Sequence, residues 1–416
     1  MKILFVAPYP PYPPRGGGQQ RIYQFIRHVA REHEVWLLAL TPSPEAALGL
    51  APLHDLCHVT TVPTPLRTPW QRLHTTLTSP LPDMTFRGRS PTLATTMNEL
   101  LRAVPFDLVQ CESIEMAQYA QGRTGTARPL YIYDAFNAEF VIQQRAFTTD
   151  VRYVRKLPAA LYSLIQWRKL RRYESRLTCR FGGVLAVSDG DAAILQGLDP
   201  LLNVDVVPNG VDTTYFRPER QLNAEQAAPM LLFTGTLDYR ANIDAVRWFV
   251  DEVLPLVQAE QPQVRFSIVG RNPLAAVQQL AQRPGVDVVG EVDDVRPWFN
   301  QAAAYVVPMR IGGGVRLKVL EALAMEQPVI STSMGAEGIT GLIPSTHALL
   351  ADNPATFARQ ILRVLKEPEL ARQLGETGRS FVEQRYDWRV IAPHMMQLWQ
   401  TWLNEPTDIM AHGKRA

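Results

Sequence analysis

The sequence predicts two doubly wound α/β domains, and three observations carry that prediction. A chain of 416 residues is too long for one hydrophobic core and suits two domains of about 200 residues each. Strand-like and helix-like segments alternate through both halves, as they do where a parallel sheet is covered by helices on both faces. The rhythm then restarts at Met230, after a stretch (PNGVDTTYFRPERQLN, 208–223) with turn chemistry and little periodicity. The expected domains are therefore residues 1–207 and 208–387, with a final helical segment from about 388 to 416.

In the first domain the apolar run Lys2–Ala7 reads as a buried strand. A Pro/Gly loop follows, and then Gln20–His33 places Ile22, Phe25, Ile26 and Val29 on one helical face. Further strands are expected at Glu34–Leu40, Asp107–Glu112, Leu130–Ala135, Gly183–Ser188 and Val204–Pro208. In the second domain they are expected at Met230–Gly235, Val264–Gly270, Val286–Val289, Ala304–Pro308 and Pro328–Ser331, with a helix over Asn242–Val257. The last helix, near Trp388–Leu403, carries Ile391, Met395, Leu398 and Trp402 at helical spacing. It either caps the second domain or crosses back to the first.

Composition narrows the class. Hydrophobic residues make up 46% and charged residues 20% of the chain, as in an ordinary globular enzyme. The three cysteines, Cys57, Cys111 and Cys179, are few, odd in number and far apart, which suits reduced thiols in a cytosol better than disulfides or a zinc site. The opening MKILFVAPYPPYPP is too short in its apolar run for a signal peptide, and no stretch approaches a membrane span. The expectation is a cytoplasmic protein, with peripheral contact at a membrane face as an option and no nucleic acid as partner. Charge is uneven: residues 1–207 hold 22 Lys/Arg against 17 Asp/Glu, and nine of those cations lie between Arg152 and Arg180 with a single acid. In that stretch Ala160, Leu164, Trp167, Leu170, Tyr173 and Leu177 form an apolar stripe flanked by Arg168, Lys169, Arg172 and Arg176. It reads either as a helix lying on anionic lipid or as a helix packed on the first domain with a solvated basic face.

The chemistry concentrates in PMRIGGGVRLKVLEALAMEQPVIS (308–331). A strand ends at Pro308, Gly312, Gly313 and Gly314 follow, and a helix is expected from about Val315. Glycines admit a ligand close to the backbone, and the free N–H groups of a helix start favour an anion. Arg316 and Lys318 put two cations on that first turn, where they oppose the helix dipole and so serve something other than helix stability. A diphosphate would need them. Glu321, one turn beyond Lys318, has the two acceptor oxygens a ribose diol requires. A second cluster, Gly16, Gly17 and Gly18, follows the first strand, where open parallel sheets bind ligands; a plain loop is the competing reading. It is not the GxGxxG fingerprint, and the next strand ends at Thr41–Pro42 without an acid, which disfavours a nicotinamide or flavin enzyme.

Taken in order, PNGVDTTYFRP (208–218), FTGTLDYRANIDAVRWF (233–249), FSIVGRNP (266–273), VDVVGEVDDVRPWF (286–299) and GGGVRLKVLEALAMEQPVIST (312–332) resemble the group 1 glycosyl transferases. These are retaining, nucleotide-sugar-dependent enzymes of the family 4-like kind. The first domain is similar to the family through the opening strand and glycine loop, YDAFNAEF (133–140) and VLAVSDGDAAIL (184–195). The resemblance implies a GT-B fold: two Rossmann-like domains facing each other across a cleft, the sugar-nucleotide mostly on the second, the chain's end crossing back onto the first. It also implies that Glu321 holds the ribose, that Lys318 and Arg316 contact the diphosphate, that Arg271 lies beside it, and that Glu291–Val292 lie near the base.

The chain departs from the family at named places. Many members carry two glutamates eight residues apart, and the first would fall on Gly313. Arg and Lys, frequent after the second domain's first strand, are replaced by Thr236 and Asn242. The motif D-x-H-N-x-E stands as Asp134-Ala135-Phe136-Asn137-Ala138-Glu139, so no imidazole acts there; Asp134, Asn137 and Glu139 remain the catalytic candidates. Transfer would follow a front-face route in which the leaving phosphate accepts the acceptor's proton. The protein would then neutralise the growing charge and exclude water. No Asp-x-Asp platform sits at a strand end, and Asp293–Asp294 suit a helix cap, so no metal and no cofactor beyond the sugar-nucleotide co-substrate is expected. Competing readings are a nucleotide-sugar epimerase or hydrolase on the same fold, which would need acid/base groups from Asp134, Glu139 or Glu112, and a non-catalytic sugar-nucleotide-binding subunit.

Overall fold

The computed structural model describes residues 1–120, 129–152, 156–177, 180–200, 202–219, 228–312 and 315–404. The chain folds as two compact units, one of Met1–Pro208 with Ala392–Ala416 and the other of Asn209–Ile391. The exit at Pro208 lies in the segment whose turn chemistry marks the boundary.

The first unit is built on seven parallel strands: β1 (Lys2–Ala7), β2 (Glu34–Thr41), β3 (His58–Pro63), β4 (Leu108–Glu112), β5 (Leu130–Ala135), β6 (Gly183–Ala186) and β7 (Val204–Val206). Their order is β3-β2-β1-β4-β5-β6-β7. Ile3 through Ala7 are fully buried, which explains why the run is continuously apolar rather than alternating: helices cover both faces of the sheet. The order reverses at β1 and β4, so the crevice beyond their carboxyl ends is the unit's natural ligand position. The second unit repeats the design with β8 (Met230–Thr234), β9 (Arg265–Val269), β10 (Val286–Gly290), β11 (Ala304–Val307), β12 (Val329–Ser331) and β13 (Leu349–Leu350). Their order is β10-β9-β8-β11-β12-β13, and all are parallel. Here the order reverses at β8 and β11.

The helices used below are α1 (Gly17–Val29), α2 (Pro69–Thr78), α3 (Glu139–Asp150), α4 (Leu157–Leu177), α5 (Arg240–Trp248), α6 (Leu317–Ala324) and α7 (Trp388–Asn404). Several differ from expectation for physical reasons. α1 starts three residues early, with Gly16 as its extended N-cap, so Gly17 and Gly18 are helical rather than loop residues. The single helix expected over 242–257 is α5, a π turn at Phe249–Val253 and a further helix from Leu254. α6 begins at Leu317 with Arg316 as its extended N-cap, so Arg316 stands before the first turn. Asp294 does not cap the next helix through an N-cap side chain; it grips Arg296 at both the backbone N–H (2.9 Å) and the guanidinium (2.6 Å).

α7 does cross back. From Ala392 onward it belongs to the first unit, where Trp399 is fully buried with its ring 6.1 Å from that of Phe5. Trp402 packs against Gly183, close enough that a Cβ there would sit 2.4 Å from the indole. α4 packs its stripe inward: Ala160, Leu170 and Leu177 are buried, whereas Arg168, Arg172 and Arg176 face outward. Among the described residues no helix is long and apolar enough to cross a membrane.

Candidate functional site

In the second unit, loops from neighbouring strands lie flush against each other because two glycines permit it. A Cβ on Gly270 (φ +158°) would fall 1.8 Å from the Gly235 carbonyl oxygen. One on Gly235 (φ +153°) would fall 2.6 Å from Lys318 Nζ and 2.9 Å from Asn242 Nδ2. The Arg271 backbone carbonyl accepts from Leu237 N–H at 2.8 Å, which ties the β9 loop to the β8 loop and sets the half-buried Arg271 at the strand ends. Glu291 is exposed just beyond β10 and Val292 is half-buried.

α6 brings Lys318 into this setting. Its ammonium donates to Asn242 Oδ1 at 3.0 Å and lies 4.0 Å from the centroid of the Phe233 ring. The Asn242 amide is itself oriented, since Nδ2 donates to the Thr236 carbonyl at 2.8 Å. Burial, and then the nearby Arg316 guanidinium, lower the Lys318 pKa to about 7, with Glu321 pulling the other way. Arg316 packs against Gly312 (φ +128°): a Cβ there would lie 2.2 Å from its Nη2. Gly313 and Gly314 lie outside the described residues. Glu321 is half-buried and close enough to act electrostatically on two tyrosines. Burial and then Asp294 raise the Tyr215 pKa, with Glu321 adding to the effect. Tyr305 is raised chiefly by burial and also by Glu321, and its hydroxyl pairs with Thr234 at 2.7 Å. Arg271, Gly312, Arg316, Lys318 and Glu321 therefore share the reversal point of one sheet, and Asn242, read from the sequence only as a departure, is the residue that holds Lys318.

In the first unit the candidates separate. Asp134, at the end of β5, is fully buried and takes two bonds of 2.7 Å from Arg21. Arg21, itself 1% exposed, spends Nη1 on the carbonyls of Val207 (2.8 Å) and Pro208 (3.1 Å). Proton handling is the role the sequence suggests for Asp134; the structure gives it a closed ion pair that no substrate reaches while the pair stands. Glu112, its register partner on β4, is equally buried, and burial and then Asp134 raise its pKa well above the usual carboxylate range. Two adjoining carboxyls in one dry site cannot both stay charged.

Asn137 and Glu139 stand at the rim. Asn137 Nδ2 donates to Glu139 Oε1 at 3.3 Å, and burial and then Glu115 raise the Glu139 pKa to about 7. Glu115 also accepts from Ser113 Oγ at 2.6 Å, and Ser113 holds the left-handed φ of +68° directly after β4. The motif loop is clamped from behind. Ala138 N–H donates to Asp191 (3.1 Å), and the N–H groups of Glu139 (3.1 Å) and Phe140 (3.2 Å) donate to Glu174. Glu174 is the lone acid of the basic stretch, and it caps α3 from α4. The glycine cluster meets the motif at Gly18, where a Cβ would lie 2.0 Å from the Tyr9 hydroxyl and 2.9 Å from the Phe136 ring. A Cβ on Gly16 would meet nothing nearer than 3.6 Å. Sequence reasoning missed Arg21, Glu174 and Asp191, whose partners are remote in the chain, and also Tyr9 and Glu115.

Two reversal-point crevices on parallel α/β sheets, one lined with glycine and cations, define the GT-B class of fold. The structure superposes on sucrose-phosphate synthase from Thermosynechococcus elongatus with a TM-score of 0.69 at 18% identity, over 96% of this chain and 98% of that one. It superposes on the Anabaena protein HepE in complex with UDP at 0.65 and 15% identity, over 96% and 100%. Residues 228–367 match the model of glycosyl transferases group 1, and residues 15–215 match that of glycosyltransferase family 4. The phosphatidyl-myo-inositol mannosyltransferase of Propionibacterium freudenreichii is 25% identical over 269 residues, 61% of this chain and 65% of that one. The chain spans less than two thirds of the length of the curated relatives it matches. It belongs to the group 1, family 4-like glycosyltransferases.

Proposed function

We propose that this protein transfers a sugar from a nucleoside-diphosphate sugar to an acceptor hydroxyl, with retention at the anomeric carbon and without a metal. The observation that carries the proposal is the Lys318–Arg316 pair, set against Gly235 and Gly312 at the reversal point of the second sheet. A lysine with its pKa lowered to about 7 by burial and a neighbouring cation is short of negative charge, and a diphosphate supplies it. The UDP bound in HepE supports a nucleoside diphosphate as the ligand. In this reading Arg271 and the glycine-loop amides complete the phosphate site, and Glu321 takes the ribose diol. Charge growing on the leaving diphosphate is then met by fixed cations, and neither Asp293 nor Asp294 is needed to hold a metal.

Asn137 and Glu139 face the acceptor in this proposal, while Asp134 is a positioning residue acting through Arg21. The acceptor is a glycan, glycolipid or small-molecule hydroxyl, and the mannosyltransferase relative, named for a lipid, favours the glycolipid. An epimerase would need two acid/base groups converging on the sugar. With Asp134 paired to Arg21 and Glu112 sealed in the interior, Glu139 alone remains.

The deciding measurement is nucleoside diphosphate release from a panel of sugar nucleotides, with and without acceptor and in excess EDTA. Acceptor-dependent release that survives EDTA is expected. Isomerised sugar nucleotide, or binding without release, would overturn the proposal. Glu321→Gln should fold with a near-native melting temperature, bind the sugar nucleotide at least tenfold more weakly, and discriminate less against a 2′-deoxyribose nucleotide.

A further inference from the structure

Helix α2 is turned inside out relative to a surface helix of a globular protein. Trp70, Leu73 and Leu77 recur at i, i+3 and i+7 on one face, yet they are 79%, 50% and 68% exposed, and Leu66 just before the helix is 94% exposed. Of the ten residues of α2 only Thr76 is buried. So short a helix is marginal without tertiary packing, and this one is kept in place by polar ties on its opposite side. A reciprocal capping box joins Thr68 and Gln71 at 2.9 and 3.2 Å. Arg67 bonds Thr75 Oγ1 at 2.6 Å, and Lys169 of α4 donates to the Thr76 carbonyl at 2.6 Å. The apolar face is left outside by construction.

The charge around it is of one sign. From residue 56 to 98 the only acid is Asp83, and from 151 to 180 it is Glu174. Both are buried. Asp83 accepts from Arg67 (2.8 Å) and pairs with Arg72 (3.3 Å) and Arg87 (3.5 Å), so that cluster keeps a surplus of positive charge. Arg168, Arg171, Arg172 and Arg176 of α4 and Arg89 are exposed as well. A tryptophan and three leucines pointing outward, with cations and no exposed acid in the flanking segments, have the composition of a helix that lies in the headgroup layer of an anionic bilayer.

We infer that α2 is a membrane-docking helix, inserting Leu66, Trp70, Leu73 and Leu77 among anionic lipids while the arginines of α2 and α4 contact the headgroups. The inference moves the lipid contact from the α4 stripe, which packs inward, to a neighbouring helix, and it does not depend on the sugar chemistry proposed above. The test is co-sedimentation of the full chain with vesicles of phosphatidylcholine alone or mixed with phosphatidylglycerol, at low and high salt. Binding to the anionic vesicles at low salt is expected, weakening as salt rises. The triple variant Trp70→Ser, Leu73→Gln, Leu77→Gln should bind about tenfold more weakly or worse, with its melting temperature and nucleotide affinity unchanged. Trp70→Ser alone should show an intermediate loss. Wild-type protein that ignores anionic vesicles, or a triple variant that binds like wild type, would overturn the assignment. So would a concentration-dependent dimer that the triple variant abolishes, since a second copy would then own the face.

Discussion

An ammonium held over a phenyl ring and bonded to one side-chain amide has given up much of its hydration, and Lys318 shows the consequence in a pKa lowered to about 7 by burial and Arg316. The sign of the linkage is definite. The folded value lies below that of the unfolded chain, so without ligand the fold favours the neutral amine, and the charged form prevails only below about pH 7. If the proposed diphosphate meets Lys318, it binds the charged form and raises that pKa, so binding takes up a proton at alkaline pH. UDP affinity should therefore fall as pH rises above 7, by up to about tenfold per unit while the bound pKa stays higher. Calorimetry in buffers of different ionisation enthalpy should record the proton uptake. Lys318→Met should bind weakly with a flat profile above pH 7, whereas Lys318→Arg should restore much of the affinity and keep the profile flat. A wild-type affinity constant from pH 7 to 9 would mean that the ammonium does not meet the phosphate. Lys318, Arg316 and Glu321 stood out in GGGVRLKVLE because glycine, cation and acid fall together in ten residues, although Arg316 proves to precede the helix. Asn242 did not stand out, since its bond to Lys318 spans 76 positions.

At the scale of elements, strands were the most legible part of the chain. Runs such as KILFVA and LYIYDA are apolar without interruption because both faces of a parallel sheet are buried. β3 was missed because HVTTVP is only partly buried and half polar, and β13 because two residues make no pattern. α2 lay hidden for a related reason: its apolar residues serve no core. Helix ends were less legible than helix centres, as Arg316 and Gly17 show. The strand-end turns of the second unit yield a prediction at this scale. Gly270→Ala would press a Cβ to 1.8 Å from a backbone oxygen, where no side chain can yield, so the β8 and β9 loops must part. Such overpacking costs roughly 1–3 kcal/mol or more, and the melting transition of this unit should drop by several degrees. Gly290→Ala is the control: its φ is +86° but nothing lies within 4 Å, so only backbone strain of about 1 kcal/mol remains. Equal losses in the two variants would show that the flush loops are not what Gly270 provides.

On the scale of the molecule, each unit sets its candidate residues at or beyond the carboxyl ends of its central strands, Asp134 closing β5 in one and Lys318 following β11 in the other. That distribution was foreseeable from alternation and glycine placement. The closed network in the first unit was not, because it joins residues from four distant parts of the sequence. Gln110 Nε2 donates to Glu112 Oε1 at 2.9 Å, Glu112 adjoins Asp134, Asp134 holds Arg21, and Arg21 holds the two carbonyls where the chain leaves the unit. The network is stable only if one carboxyl is neutral, and the raised pKa, from burial and then Asp134, assigns that proton to Glu112. Its folded pKa therefore lies above its unfolded one. Between those two values the native state holds a proton that the unfolded chain has released, so stability must decline as pH rises above the unfolded value. The decline is up to about 1.4 kcal/mol per pH unit from this group alone. Glu112→Gln keeps the shape and the acceptor oxygen for Gln110, but it removes the titration. The variant should be more stable than wild type at pH 8, with an advantage that shrinks steadily as the pH falls toward the unfolded value. Asp134→Asn, which strips Arg21 of its counter-charge in the interior, should instead be destabilised by about 3–5 kcal/mol. Melting curves of both variants across that pH range separate the roles. If Glu112→Gln gains nothing at alkaline pH, the proton does not reside on Glu112, and the network must carry its charge in another way.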